Sequence, residues 1–256
     1  MADGVMQNNS ANSTPVATTS AHWDLLEAGA TMATVDGWQV PTRFTGPQGE
    51  QQAARERVGM AERGHVTKLR LQGPGVPAAL DTLGSVPEIG RVSDAPVPAN
   101  TGDARREGKG VEVLIARLAE TEAWLTASPG DHGKLLSATE GSLKDGSVFD
   151  LTSSFSAVQL VGPQSANVVA SLTDLDLRPN SMPDGGCAQT TLAEVYGLIV
   201  RADMGELVSY SLYFGREYGM YVWESLMEAG EAYGMALIGS EALASLSGAN
   251  GSVQQA

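Results

Sequence analysis

Cys187 is the strongest nucleophile in the chain and its only thiol, with Gln189 two residues beyond it. Thiol chemistry needs a base to take the proton. The three histidines, His22, His65 and His132, all lie far from it in sequence. Cys187 is therefore expected to be a small buried side chain. Histidines so widely spaced, with a single cysteine, give no metal-ligand pattern, so no metal site is expected. Neither Gly46-Pro47-Gln48-Gly49 nor Gly185-Gly186 has the spacing of a dinucleotide or phosphate loop. Pro183-Asp184-Gly185-Gly186 reads simply as a turn.

Net charge narrows the partners. At −14, with an isoelectric point near 4.5, the chain repels phosphate backbones and anionic lipid, so neither nucleic acid nor membrane is expected. No stretch approaches the ~18 apolar residues of a membrane span. Residues 1–21 are rich in Asn, Ser, Thr and Ala, without a basic start or an apolar core. They read as a disordered tail rather than a targeting segment, and the expected location is cytoplasmic.

The elements that must position any site are legible in outline. Residues 93–110 mix proline, glycine and charge without apolar periodicity, and read as a loop or linker between a front part (22–92) and a back part (111–247). Residues 248–256 form a second polar tail. The two parts share a weak repeat: KLRLQGPGVPAALDTL from Lys68 and AVQLVGPQSANVVASL from Ala157. Each gives alternating apolar residues, Gly-Pro, then a short apolar-faced helix, with proline expected in the first helical turn. An α+β architecture follows, each part a small sheet covered by helices.

VEVLIAR and EAWLTAS predict one hairpin around residues 110–128, and residues 196–201 and 207–214 predict another. In the latter, Val208, Tyr210, Leu212 and Phe214 share the face expected to enter the core. Residues 216–229 predict a helix with Tyr218, Val222 and Leu226 on its apolar stripe, beside Trp223 and Met227, and Gly230 at its end.

Several segments, in order, resemble one family. These are Asp36-Gly37-Trp38-Gln39-Val40-Pro41; Val58-Gly59-Met60 with Gly64-His65-Val66; Phe149-Asp150-Leu151-Thr152-Ser153 with Leu160-Val161-Gly162-Pro163; and Gly205-Glu206-Leu207 with Tyr210, then Tyr218-Gly219, Trp223 and Ala229-Gly230. Together they are similar to the glycine-cleavage T-protein, or aminomethyltransferase, superfamily of folate-binding proteins, over roughly residues 36–92 and 111–247.

The resemblance implies two ferredoxin-like lobes (22–92 and 111–247) around a central cavity that admits tetrahydrofolate. It also implies one-carbon transfer from an N-methyl or aminomethyl donor. The chain is too short for the C-terminal barrel of a full T-protein, which points to the gamma-type subunit of sarcosine oxidase. Protein partner subunits, among them a flavoprotein oxidase, are then expected. A free-standing aminomethyltransferase and a non-catalytic scaffold of the same fold are the other readings. The implied folate-binding positions are Tyr210, Ser211, Glu206 and His65. Ser211 stands where the family's Tyr-Glu pair has glutamate, and Ser247 where a Leu-Arg pair has arginine. The stretch Leu83-Gly84-Ser85-Val86-Pro87-Glu88 holds no Asn-Asp; with Glu88 and Asp94 out of register, no catalytic residue is assigned.

Overall fold

The computed structural model describes residues 16–97 and 110–247. Along the chain these give α1 (His22–Glu27), β1 (Thr31–Val35), β2 (Trp38–Arg43), α2 (Pro47–Glu56), β3 (Gly59–Glu62), β4 (Thr67–Gln72), α3 (Val76–Leu83) and β5 (Arg91–Val97). Then come β6 (Val111–Ala119), β7 (Glu122–Ala127), α4 (His132–Ser142), β8 (Ser147–Asp150), β9 (Phe155–Val161) and α5 (Ser165–Ala170). The remainder is β10 (Cys187–Leu192), β11 (Val195–Arg201), β12 (Ser209–Gly215), α6 (Gly219–Glu231), β13 (Ala236–Leu237) and α7 (Ser240–Leu246).

Two sheets carry the fold. One has the order β5-β6-β7-β4-β8 and is antiparallel throughout; the other runs β10-β11-β12-β9-β3-β13, antiparallel except for β3 with β13. Strand alternation gives each sheet two apolar faces. Leu69, Leu71, Ile115 and Leu125 turn outward under α3 and α4, joining Val76, Leu80 and Leu135. Met60, Leu160, Ile199 and Leu212 turn outward under α1, α5 and α6, joining Leu25, Val169, Val222 and Leu226. The inward faces meet through Ala116 and Trp124 of one sheet and Ala157, Leu198, Val200 and Tyr213 of the other. Trp124 lies 5.2 Å from Phe155 and 5.4 Å from Tyr213, ring centre to ring centre. The layers are thus helices, sheet, sheet, helices, with aromatic rings filling the middle.

Both halves of the repeat take one form, β4-turn-α3 and β9-turn-α5. Gly73 (φ +136°) and Gly162 (φ +129°) make the two turns, where a side chain would strike the Gly146 backbone or the Ala54 carbonyl. Pro74 and Pro163 precede the first helical residues rather than occupying the first turn; in α3 that place is held by Pro77.

The sequence division differs from the structure in three places. The front part is not one sheet: β3 joins β9 in the six-stranded sheet, while β4, four residues later, joins β7 and β8 in the other. Contiguous lobes would have required strands to pair within each part, but these central strands find their partners far along the chain. Residues 93–97 are strand β5, not loop; the ladder from Arg91↔Arg117 to Val97↔Val111 overrides their polar composition. Residues 17–21 are packed: Ala17 bridges Trp38, Thr19 is buried, and Arg216 donates to the Thr18 carbonyl at 2.8 Å. The rest of the two tails and residues 98–109 lie outside the described residues.

The predicted hairpins form as β6-β7 and β11-β12. Tyr210, Leu212 and Phe214 enter the core as expected, but the opposite face, with Ser209 and Tyr213, is buried as well, against the second sheet. On α6 the buried stripe is Gly219, Val222, Trp223, Leu226 and Gly230, while Tyr218 and Met227 are exposed.

Candidate functional site

The link between β3 and β4 crosses from one sheet to the other in four residues, Arg63, Gly64, His65 and Val66. Lys68 pins it. Its side chain is fully buried, and its ammonium donates to the Gly64 and Val66 carbonyls, both at 2.8 Å. Burial pushes its pKa down to about 7, against the charges of Glu62 and Asp150. Glu62 accepts from the Gly64 N–H at 2.7 Å with one oxygen; the other lies 4.0 Å from His65 Nδ1, too far for a hydrogen bond. Among the described residues neither of those two atoms has a hydrogen-bond partner. Burial lowers the His65 pKa, opposed by Glu62, and so favours a neutral imidazole.

His65 lines a cavity of about 320 Å³ together with Asp36 and Trp38 from the β1-β2 hairpin, Thr67 from β4, Pro129 and His132 at the start of α4, and Asp150, Thr152 and Ser153 from the end of β8. Asp36 occupies the hairpin turn at φ +48°, a region asparagine and aspartate tolerate. Asp150 is fixed by the Thr152 N–H at 3.0 Å on one oxygen and faces His132 Nε2 at 3.3 Å with the other. Thr152 Oγ1 in turn accepts from the Lys68 N–H at 3.1 Å. The cavity therefore presents carboxylates, two imidazoles, hydroxyls and an indole to one small volume. That combination suits a flat, polar heterocycle, which needs a stacking surface and acceptors for its ring N–H groups.

Of the four positions named from the resemblance, only His65 lines this cavity. Tyr210 is sealed in the outer core with no exposure, its hydroxyl without a hydrogen-bond partner among the described residues and Arg201 lying 5.9 Å from its ring centre. Ser211 points to the other face of the same strand, opposite Val200 and Gln159 and beside Tyr213. Adjacent strand residues face opposite ways, so Tyr210 and Ser211 cannot serve one pocket. Glu206 is exposed at the tip of the Met204–Leu207 turn. Glu88, Asp94 and Ser247 are exposed and line neither this cavity nor the larger one beside α6. Cys187 is buried, its thiol pushed up to about 11 by that burial, as befits an inert side chain.

Asp36, Trp38, Asp150, Thr152 and Ser153 were missed as site residues, yet all belong to the motif segments quoted above. Three of those segments, far apart in sequence, converge on this one cavity. His132 and Thr67 carried no signal.

No group of three or more His, Cys, Asp or Glu side chains is placed to hold a metal ion, and no helix is long and apolar enough to cross a membrane, among the described residues. The fold is α+β, and its polar cavity is of the kind that binds a small organic ligand.

Residues 21–251 match the family described as GCVT N-terminal domain. The chain belongs to that family. An aminomethyltransferase of Streptomyces coelicolor is 31% identical over 211 residues, covering 81% of this chain and 55% of the relative. One from Saccharopolyspora erythraea is 24% identical over 81% of this chain and 56% of its own length. The chain thus spans about half the length of the curated relatives it matches. Among solved structures, aminomethyltransferase T of the glycine cleavage system from Bartonella henselae superposes with a TM-score of 0.76 at 20% identity, covering 91% of this chain and 62% of that one. A chain of heterotetrameric sarcosine oxidase from Corynebacterium sp. U-96 superposes with a TM-score of 0.55 at 24% identity, covering 74% and 93%.

Proposed function

We propose that this chain is a folate-linked subunit of the T-protein type, working in one-carbon transfer to tetrahydrofolate within a complex, and that the pterin head of the folate sits in the His65 cavity. The observation that carries the reading is the convergence there of Asp36 and Trp38, His65, and Asp150 with Thr152. A cavity of about 320 Å³ accepts a bicyclic head but not a whole folate, whose tail would extend outward past the hairpin. Bound tetrahydrofolate would supply the nucleophilic nitrogen that accepts the one-carbon unit.

The chain's own residues would bind and orient. The Asp36 carboxylate can accept two N–H bonds from an amino-pyrimidine edge, the grip that Ser211 does not provide. Trp38 offers an aromatic face. A neutral His65 can accept a proton, or donate one hydrogen bond, at the cavity wall. The His132–Asp150 pair, 3.3 Å apart, adds a ring nitrogen and a carboxylate to the cavity lining. The likeness to a chain of a sarcosine oxidase named as heterotetrameric supports assembly with other subunits, among which this reading places a flavoprotein oxidase acting on an N-methyl donor.

Anaerobic calorimetric titration with tetrahydrofolate tests this. Binding near micromolar affinity, about −8 kcal/mol, is expected, weakened about tenfold or more in Trp38→Ala and Asp36→Asn and unchanged in Glu206→Ala. No binding, or binding indifferent to Trp38 and Asp36, overturns the assignment.

A further inference from the structure

The exposed large apolar side chains are unevenly placed. Of twelve among the described residues, Tyr218, Met220, Tyr221 and Met227 lie on α6 and the turn that leads into it, and Trp23 and Leu26 on α1, which covers the same face of the six-stranded sheet. Helical spacing sorts α6 into stripes. Val222 and Leu226 are buried; Met220, Glu224, Met227 and Glu231 form one exposed stripe, and Tyr221, Ser225 and Glu228 another. The second stripe is one wall of a cavity of about 520 Å³, closed on the far side by Asp174 after α5 and by Glu194 in the β10-β11 turn. Three carboxylates and a tyrosine therefore line a recess to which no lysine or arginine contributes, beside a crest of methionine and tyrosine.

We infer that the outer face of α6 and this recess form a docking surface for a different protein, one that inserts an arginine or lysine between Asp174, Glu194 and Glu228 and lays apolar side chains on Met220, Tyr221 and Met227. The inference rests on the complex-bound reading above and supplies it with a surface and a partner chemistry. Charge complementarity selects the occupant. A second copy of a chain carrying −14 would set carboxylates against carboxylates across a two-fold axis, whereas a basic surface gains from the same field. Methionine and tyrosine are the residue types that adapt to and anchor such contacts. An arginine in the recess can also lie over the Tyr221 ring.

The test uses the full chain, isotope-labelled, titrated by NMR with a synthetic peptide of alternating leucine and arginine, against its counterpart with glutamate for arginine. Shifts confined to α6 and to residues 170–174 and 191–194 are expected with the arginine peptide alone. Glu228→Lys and Asp174→Lys, both exposed positions, should each weaken binding about fivefold or more. Equal response to both peptides, shifts elsewhere, or indifference to the charge reversals overturns the proposal. Sedimentation velocity is expected to show a monomer; a dimer dissociated by Tyr221→Ser would make the occupant a second copy and overturn the partner chemistry. Tetrahydrofolate binding should be the same in all these variants. Loss of the peptide response with folate binding intact, or the reverse, tells the two readings apart.

Discussion

Glu50 offers the sharpest test of how the structure is held together. It is 1% exposed in the first turn of α2, and both oxygens are in use. One accepts the N–H groups of Phe44, Thr45 and Gly46 at 2.7, 3.0 and 3.0 Å; the other accepts the Gly239 N–H at 2.7 Å. Burial alone would raise its pKa, but the four backbone donors hold it below the usual carboxylate range.

In Glu50→Gln an amide NH₂ must face at least one of those donors, leaving a buried N–H orphaned and weakening the other bonds. A charge-assisted bond contributes about 1.5–3 kcal/mol and an orphaned donor costs about 1–3 kcal/mol, so a loss of about 2–4 kcal/mol is expected. With a urea slope of about 3 kcal/mol per molar, the unfolding midpoint followed by tryptophan fluorescence falls by about 1 M at pH 7. Because the folded-state pKa is depressed, this stabilisation is full above the unfolded value of about 4.5 and disappears as pH falls through the folded value. The gap between wild type and variant should therefore narrow below pH about 4.5. A gap of the same size at pH 7 and pH 3, or a midpoint shift below about 0.2 M, would refute the account.

Lys68 gives the same slope for the opposite reason, its charged form being disfavoured rather than favoured by the fold. Its pKa falls from 10.5 to about 7 on folding, so the unfolded chain binds the extra proton between those values. Stability should rise with pH across that window, by up to about 1.4 kcal/mol per pH unit. Lys68→Met should lose the rise, and denaturant curves at pH 7 and 10 measure it. For Cys187, burial and a pKa near 11 predict no reaction with a disulfide reagent at pH 8 until the chain unfolds; rapid native labelling would contradict the packing described.

Much of the fold could be read from the sequence where the signal was local. The hairpins β6-β7 and β11-β12 and the Gly-Pro repeat needed only neighbouring residues. What was lost is long-range. Nothing in Val58-Gly59-Met60 or Lys68-Leu69-Arg70 reveals that these adjacent strands enter different sheets, because side-chain alternation specifies a face and not a partner. Residues 93–97 read as loop because Asp94 and Pro96 disguise an edge strand.

The site was half legible. The motifs carrying His65, Trp38 and Asp150 stand out in the sequence, but their meeting point exists only after the chain folds. The Tyr210-Ser211 pair fails on elementary grounds: neighbours in a strand diverge.

The four-residue crossing between β3 and β4 has a consequence for biogenesis. Gly59 pairs with Val161, and Leu71 with both Ala123 and Val148, so as residues 22–92 leave the ribosome they carry strands committed to two sheets, neither of which can close. Strand β3 must wait, edge unpaired, for about ninety further residues before β9 arrives, or about 5–20 s at ordinary synthesis rates. Such distant pairing makes for slow folding and a long window of vulnerability to wrong partners. Residues 22–92 carry eight carboxylates against seven Lys and Arg side chains, so charge repulsion gives the waiting half little protection.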